Sequence, residues 1–165
     1  MKTLFIGGIK SGKSALAEEY MLSFDAKKPL YLATNELYDE EMNIKIKEHK
    51  ERRQELFETL EEPLKIVQTL QNSQNSTVLV ETLSMWLNNM LYHNYSKSEI
   101  LKELQKLLCS SKNIIFVMDD VSCSVISSSK ETRRFVELNG LIAQRVAEVC
   151  ESVYHVTAGL KVKIK

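Results

Sequence analysis

Short apolar runs recur along the chain and are separated by segments with helical spacing. The runs are rich in Val, Ile and Leu and occupy residues 4–6, 30–33, 78–80, 114–117 and 153–156. Strands of this kind, alternating with helices, predict crossover connections and a mainly parallel sheet that is covered on both faces. The expected fold class is therefore α/β, with helices flanking the sheet.

Serine and aspartate residues mark the expected starts of helices between these runs. Ser96 with Glu99 predicts a capping box ahead of a leucine-rich segment, and Ser128 with Glu131 predicts a second one. The helix after Ser128 has an apolar face at spacings of three, four and seven residues, formed by Phe135, Leu138, Ile142 and Val149. Asp39 is expected to cap a further helix.

The last residues of the chain alternate lysine with apolar side chains. Lys161, Lys163 and Lys165 flank Val162 and Ile164. A period of two is typical of a half-exposed strand, and lysine is frequent on the edges of sheets. We expect an additional edge strand here, in antiparallel orientation.

A glycine-rich segment follows the first apolar run and fits the pattern G-x-x-x-x-G-K-[ST]. It consists of Gly7, Gly8, Ile9, Lys10, Ser11, Gly12, Lys13 and Ser14. A strand before this segment and a helix after it are the context in which the pattern forms a phosphate-binding loop. Backbone N–H groups then bind phosphate oxygens, Lys13 reaches the β- and γ-phosphates, and Ser14 provides a hydroxyl to Mg²⁺. The alternative is an accidental glycine-rich turn.

Acidic residues stand at the ends of two other predicted strands. Glu81 follows the run at 78–80, and Asp119 and Asp120 come just after the run at 114–117. Ligands of open α/β sheets collect at the carboxyl ends of the strands, where a phosphate loop also needs a metal-binding carboxylate. We therefore expect Glu81 to contact Mg²⁺ or nucleotide rather than to cap the next helix. Both interpretations stay open for Asp119 and Asp120.

A basic segment after the second apolar run contains a histidine with unusual neighbours. On a helix that begins near Asp39, one face carries Met42, Ile46, His49 and Arg53. The surrounding basic residues, Lys45, Lys47, Lys50 and Arg52, would disfavour the imidazolium form and attract phosphate. A neutral imidazole is a competent nucleophile toward phosphorus. From these residues alone, a packed or exposed histidine is the simpler interpretation.

Composition restricts the class of protein further. The 22 basic residues balance the 22 acidic ones, so the net charge suggests no nucleic-acid partner. The three cysteines form no C-x-x-C pair, which indicates neither a disulfide framework nor a zinc site. No apolar run approaches the ~18 residues of a membrane span, and the first residues already predict a strand. We expect a single domain over residues 1–165, a cytoplasmic location and no membrane insertion.

Together, these motifs resemble the bifunctional adenosylcobinamide kinase/adenosylcobinamide-phosphate guanylyltransferases of cobalamin biosynthesis. The shared positions extend over nearly the whole chain and comprise the phosphate loop with Ala17 and Glu18, residues 31–34, residues 39–42 with Ile46, His49 and Arg53, Thr59, Glu61 and Pro63, residues 79–81 with Leu83, Trp86, Leu87, Asn89 and Leu91, Gly140, Gln144, Ala158 and Gly159. The phosphate loop alone occurs in many families, whereas its combination with a downstream His-x-x-x-Arg is far more specific.

The resemblance implies an enzyme with two activities. ATP or GTP would phosphorylate the aminopropanol hydroxyl of adenosylcobinamide. His49 would attack the α-phosphorus of GTP, release pyrophosphate and hold GMP as a phosphoramidate until the new phosphate accepts it, which gives adenosylcobinamide-GDP. The resemblance also implies a P-loop NTPase fold of the RecA-like type, Mg²⁺ with the nucleotide, and a homotrimer.

The resemblance further assigns roles to the candidate residues. His49 and Lys13 would be catalytic, and Ser14 and Glu81 would lie at the Mg²⁺ site. The nucleotide-binding residues would be Gly7, Gly8, Ile9, Lys10, Ser11, Gly12, Lys13, Ser14, Ala33, Thr34, Asn35, Lys50, Glu51, Arg52, Arg53, Glu61 and Glu81.

Several positions depart from the usual pattern of this family. The chain has Asp119-Asp120-Val121-Ser122 in place of Asn-Glu-Val-Gly, and Ser124-Val125-Ile126-Ser127 in place of Gly-Ile-Val-Pro. Val136-Glu137 replaces an Arg-Asp pair, and Ala143 stands where an Asn usually precedes the Gln. We expect these changes to lie away from His49 and the phosphate loop, and to affect the kinase step or corrinoid recognition more than nucleotide binding.

Two other functions fit the same phosphate loop. A kinase of another small alcohol or nucleoside would transfer the γ-phosphate without forming covalent GMP. A regulatory module would bind nucleotide through Lys13 without turnover. A covalent GMP adduct at His49 would distinguish the bifunctional enzyme from both.

Overall fold

A computed structural model describes residues 1–24, 28–36, 56–122 and 126–165 of the chain. The strands in these ranges are β1 (Lys2–Gly7), β2 (Leu30–Ala33), β3 (Glu58–Glu61), β4 (Thr77–Glu81), β5 (Asn113–Asp119), β6 (Ser152–Thr157) and β7 (Leu160–Lys163). The helices are α1 (Lys13–Leu22), α2 (Ile66–Asn72), α3 (Leu83–Tyr92), α4 (Lys97–Leu108) and α5 (Lys130–Val149).

The strands form one sheet in the order β3-β2-β4-β5-β1-β6-β7. All neighbouring strands are parallel except β6 and β7, which are antiparallel. The predicted parallel sheet and its antiparallel edge strand at the C-terminus are therefore confirmed. Because the strands run in one direction, the carboxyl ends of β1, β2, β4 and β5 lie at the same edge of the sheet.

Strand β3 was not predicted from the pattern of apolar residues. It lies at the outer edge of the sheet, beside β2, and most of its side chains are exposed. An edge strand of this kind buries little apolar surface, so its sequence lacks the apolar run that identifies the central strands. Its position matters because it places Glu61 next to Ala33, at the carboxyl end of β2.

Alternating side chains of the strands build a hydrophobic core on each face of the sheet. On one face, Leu79, Ile115 and Val117 pack with Ala17 and Met21 of α1. The opposite face packs against α2, α3, α4 and α5, and its buried side chains include Trp86, Leu87, Ile100, Leu104, Leu138 and Ile142. Two helical layers thus cover the sheet, which is the reason that its central strands are apolar on both sides.

The expected helix starts agree with the structure in one case and are displaced in another. Ser96 and Glu99 form the predicted capping box at the start of α4. Ser128 is not the cap of α5, because the hydroxyl of Ser129 accepts the hydrogen bond from the N–H of Thr132. Both serines precede the helix, and the pattern misplaced its start by one residue. Asp39 lies outside the described residues.

The predicted apolar face of α5 is correct in its middle and wrong at its end. Leu138 and Ile142 are buried, whereas Val149 is exposed. Val146 takes the buried position instead. The spacing does not explain this difference, because at 3.6 residues per turn a step of seven from Ile142 stays about as close to the same face as a step of four. Val149 is instead the last residue of α5.

Gly7, the last residue of β1, lies in a narrow space between neighbouring backbones. A Cβ atom at this position would be 2.2 Å from the carbonyl oxygen of Val156 on β6 and 2.7 Å from Oγ of Ser11. Gly8 differs, because a Cβ atom there would have no described atom within 4 Å. The close packing of β1 against β6 therefore depends on glycine at the first position of the loop and not at the second.

We expect Gly7→Ala to lower the free energy of unfolding by about 2 kcal/mol, because the new methyl group forces the backbone of β6 to move. Gly8→Ala is the matched control and should stay within ~0.5 kcal/mol of the wild type. Urea unfolding without nucleotide measures both values. Equal stabilities for the two variants would show that the contact with Val156 relaxes without cost.

Candidate active site

The phosphate loop connects β1 to α1 through a turn that contains left-handed backbone conformations. Lys10 has φ of 60° and Gly12 has φ of 93°. Gly12 is the residue that precedes α1, and its carbonyl accepts the N–H of Leu16 in the first turn. A backbone hydrogen bond connects the loop to the turn between β6 and β7. The N–H of Gly159 donates to the carbonyl oxygen of Ser11 at 2.8 Å. The first N–H groups of α1 therefore begin at a fixed loop, as an anion site requires.

Lys13 forms an ion pair inside this loop. Its Nζ lies 2.7 Å from Oδ1 of Asp119 and donates to the carbonyl oxygen of Gly8 at 3.3 Å. The side chain of Lys13 is only 9% exposed, and that of Asp119 is 28% exposed. The expected distance between the family departures and the phosphate loop is therefore wrong for Asp119, whose carboxylate contacts the lysine of the loop.

Two buried side chains hold the backbone of Asp119. Oγ of Ser84, on α3, accepts the N–H of Asp119 at 2.9 Å, and Nδ2 of Asn139, on α5, donates to the Asp119 carbonyl at 2.9 Å. Ser84 also donates to Oδ1 of Asn139 at 2.7 Å. Both side chains are 2% exposed, so this network is shielded from water. It joins the end of β5 to two helices on one face of the sheet.

Ser14 and Glu81 meet across the carboxyl edge of the sheet. Oγ of Ser14, in the first turn of α1, donates to Oε1 of Glu81 at 2.6 Å. Glu81 ends β4, and β5 separates this strand from β1. A hydroxyl and a carboxylate at this spacing are hard oxygen ligands, so this pair of residues fits Mg²⁺ that also binds nucleotide phosphates. Among residues 1–24, 28–36, 56–122 and 126–165, no cluster of three or more His, Cys, Asp or Glu could hold a metal ion.

Asp120 has a different set of partners from Asp119. Its Oδ1 accepts the backbone N–H of Ser122 at 3.0 Å and also accepts the hydroxyl of Ser122, and Oδ2 lies 3.6 Å from Nε2 of His155. The two hydrogen bonds from Ser122 hold the pKa of Asp120 below its usual value, and His155 adds a smaller effect in the same direction.

Three further candidate residues, Ala33, Thr34 and Glu61, lie at the carboxyl edge of the sheet. Ala33 is in register with both Glu61 and Glu81, so the ends of β2, β3 and β4 lie side by side. Thr34 is fully buried, and its hydroxyl donates to the carbonyls of Glu81 and Thr82 at 3.0 and 2.8 Å. The hydroxyl of Thr34 therefore stabilises the end of β4.

The remaining loop residues differ in their exposure. Ile9 and Lys10 are exposed, whereas Ser11 is buried and its Oγ has no hydrogen-bond partner among the described residues. Five candidate residues lie outside the described residues, namely His49, Lys50, Glu51, Arg52 and Arg53.

Sequence reasoning missed the roles of Ser84 and Asn139. Both lie on helices at otherwise apolar, buried positions. A polar residue on such a face needs a hydrogen-bond partner, and this is the signal that would have identified the pair as a network. The partner itself is not visible in the sequence, because 55 residues separate Ser84 from Asn139.

The fold and the site define the class of this protein. The phosphate loop follows β1, an inner strand of a mainly parallel sheet, and β5 lies between β1 and the strand that carries Glu81. This arrangement is a P-loop NTPase fold of the RecA-like type. The flagellar accessory protein FlaH from Methanocaldococcus jannaschii shares the fold, with a TM-score of 0.52 and 12% identity over 98% of this chain and 75% of its own.

Sequence comparison identifies the family within this class. The family model for cobinamide kinase / cobinamide phosphate guanyltransferase matches residues 3–164, and the chain belongs to this family.

Curated relatives match over the full chain. The bifunctional adenosylcobalamin biosynthesis protein CobP of Pseudomonas aeruginosa is 34% identical, with 100% of this chain and 98% of the relative covered. The bifunctional adenosylcobalamin biosynthesis protein CobU of Salmonella typhimurium is 30% identical, with 100% of each chain covered. Within the described part of the chain, none of the helices is long and apolar enough to cross a membrane.

We expect Glu81→Gln to reduce the effect of Mg²⁺ on GTP affinity by about tenfold, since loss of a carboxylate weakens metal binding while the amide oxygen still accepts from Ser14. The measurement is the dissociation constant of GTP with Mg²⁺ and with a chelator. Glu61→Gln makes the same change of charge on β3 and should keep the full Mg²⁺ effect. An unchanged ratio in Glu81→Gln would remove this residue from the metal site.

Ser122→Ala should raise the pKa of Asp120 toward its usual value. The substitution removes the hydroxyl that donates to Oδ1 of Asp120 and leaves only the backbone N–H of residue 122. The lowered pKa stabilises the folded wild type above the unfolded pKa of Asp120, and this stabilisation is lost as the pH falls through the folded pKa. The stability difference between wild type and variant should therefore be present at neutral pH and shrink in acid. A carboxyl NMR titration checks the pKa, and Ser128→Ala is the control.

Proposed function

We propose that this chain phosphorylates adenosylcobinamide and transfers GMP from GTP to the resulting adenosylcobinamide phosphate. Membership of the family that carries both activities supports this proposal. The contact between the hydroxyl of Ser14 and Glu81, beside the buried Lys13, supports it most directly, because it supplies the parts that a triphosphate site needs.

In the kinase step, the oxygen of the substrate hydroxyl attacks the γ-phosphorus. The bond between the γ-phosphorus and the oxygen that bridges it to the β-phosphate breaks. The proton of the hydroxyl passes to solvent water, and the nucleoside diphosphate is the leaving group. The N–H groups at the start of α1 and the ammonium of Lys13 hold the phosphates and balance the charge that develops on their oxygens. Positioning and charge stabilisation account for most of catalysis in reactions of this type.

Ser14 and Glu81 would hold Mg²⁺ through the hydroxyl and the carboxylate. When bound, the ion neutralises charge on the β- and γ-phosphates. The hydrogen bond at 2.6 Å keeps the two side chains near each other before nucleotide arrives, so less ordering remains for the bound state.

In the guanylyltransfer step, His49 is the nucleophile of the proposal. A ring nitrogen of neutral His49 attacks the α-phosphorus of GTP, the bond to the β-phosphate breaks, and pyrophosphate leaves. An oxygen of adenosylcobinamide phosphate then attacks the same phosphorus, and the P–N bond breaks to regenerate the histidine. The pattern His-x-x-x-Arg at residues 49–53 and its basic surroundings support this role.

The carboxyl ends of β2 and β3 are the proposed side for the guanosine. Ala33 is in register with Glu61 on one side and with Glu81 on the other, and Asn35 lies two residues further along the chain. The basic residues from Lys50 to Arg53 would complete this side. The homotrimer that the family resemblance implies belongs to the same proposal.

Incubation with GTP labelled at the α-phosphate tests the covalent step. The wild type should form a protein adduct that is stable in alkali and lost in acid, as expected of a phosphoramidate, and His49→Ala should form none. His93→Ala is the matched control, because His93 lies at the end of α3 and pairs with Glu36. Labelling of His49→Ala at the wild-type level would refute the histidine mechanism, and an unlabelled wild type would leave a kinase without guanylyltransfer.

A further inference from the structure

We propose that Asp119 is the counter-ion of Lys13 in the free enzyme and that a nucleoside triphosphate must displace it from the lysine. Asp119 thereby sets the affinity for nucleotide. This inference rests on the proposed function, since it concerns the same triphosphate site.

The contact itself is the first step of the argument. Nζ of Lys13 lies 2.7 Å from Oδ1 of Asp119, at a distance typical of a charge-assisted hydrogen bond. The ammonium also donates to the carbonyl of Gly8. Lys13 therefore directs two of its three N–H groups toward oxygens of the protein, and the proposed phosphate ligands compete with these oxygens for the same ammonium.

Asp119 has little freedom to move away when nucleotide arrives. It ends β5 in register with Gly7, and its N–H and carbonyl are bonded to Ser84 and Asn139 in the buried network. Separation of the two charges therefore requires rotation of the Asp119 side chain or movement of the Lys13 side chain. A carboxylate that stays near the loop repels the phosphates, and one that rotates away loses its ion pair, so both outcomes weaken triphosphate binding.

The neighbouring carboxylates already have other partners. Glu81 accepts the hydroxyl of Ser14, and Asp120 accepts the N–H and hydroxyl of Ser122. Among these three carboxylates, Asp119 is therefore the one that competes with phosphate for Lys13, while Glu81 is the proposed ligand of Mg²⁺.

Asparagine at position 119 would keep the shape of the side chain and remove its charge. An amide in this place offers Lys13 only a neutral oxygen and can donate a hydrogen bond to phosphate. The aspartate of this chain therefore adds one negative charge beside the lysine of the loop. The expected result is weaker triphosphate binding and faster release than an asparagine would give.

The test is Asp119→Asn, with GTP as the probe and calorimetry as the measurement, both with Mg²⁺ and with a chelator. We expect GTP to bind about tenfold more tightly in both conditions, because the competing charge-assisted hydrogen bond is lost. Stopped-flow measurement should place most of the change in the dissociation rate. The affinity for GMP, which lacks the phosphates that Lys13 reaches, should not change.

Asp120→Asn is the matched control, since it removes the same charge one residue further along and leaves the contact with Lys13 intact. It should bind GTP as the wild type does. Unchanged affinity in Asp119→Asn would overturn the inference, and weaker binding that appears only with Mg²⁺ would make Asp119 a metal ligand instead. A wild type that binds no GTP would refute the proposed function, whereas GTP binding that Asp119→Asn does not improve would refute this inference alone.

Discussion

The close approach of three backbones at the carboxyl edge of the sheet is the constraint on which the site depends. Gly7 lies between β5 and β6, with no space for a side chain toward Val156. The main-chain bonds continue past the strand ends, from Asp120 to Gly7 and from Gly159 to Ser11. The phosphate loop and the strand before it are thus attached to both neighbours of β1 through backbone atoms. The side chains of the loop then remain available for interactions with ligands and with carboxylates.

A rigid backbone gives three nearby carboxylates different chemical environments. Glu81 faces the hydroxyl of Ser14, Asp119 faces the ammonium of Lys13, and Asp120 faces the hydrogen-bond donors of Ser122. Like charges at one edge of a sheet repel each other, and each of these groups is stabilised by its own donor. Two of these donors, Lys13 and Ser14, are consecutive residues at the start of α1, and the third, Ser122, follows β5. One group is suited to a metal ion, one to a counter-ion and one to the structure of a turn.

The sequence was sufficient for the parts of the fold that depend on local pattern. The central strands are apolar runs because both faces of a parallel sheet are buried, and the phosphate loop has a spacing that its function requires. Strand β3 escaped prediction because it is exposed at the edge, and the start of α5 was misplaced because adjacent serines, Ser128 and Ser129, are equally good caps. The network around Asp119 is long-range: 35 residues separate Asp119 from Ser84, so no local pattern contains it.

Each of the two proposed reactions requires Lys13 to bind phosphate strongly and also to release the product. Phosphorylation leaves a nucleoside diphosphate in the loop, and guanylyltransfer leaves pyrophosphate, so in both the lysine ends the reaction bound to a product phosphate. Strong binding of phosphate favours the charged transition state but also slows release of the product. The carboxylate of Asp119 can form the ion pair with Lys13 again when product leaves, because the network of Ser84 and Asn139 keeps Asp119 beside the loop. The ion pair then lowers the affinity for both products through one interaction, although the two reactions break different bonds.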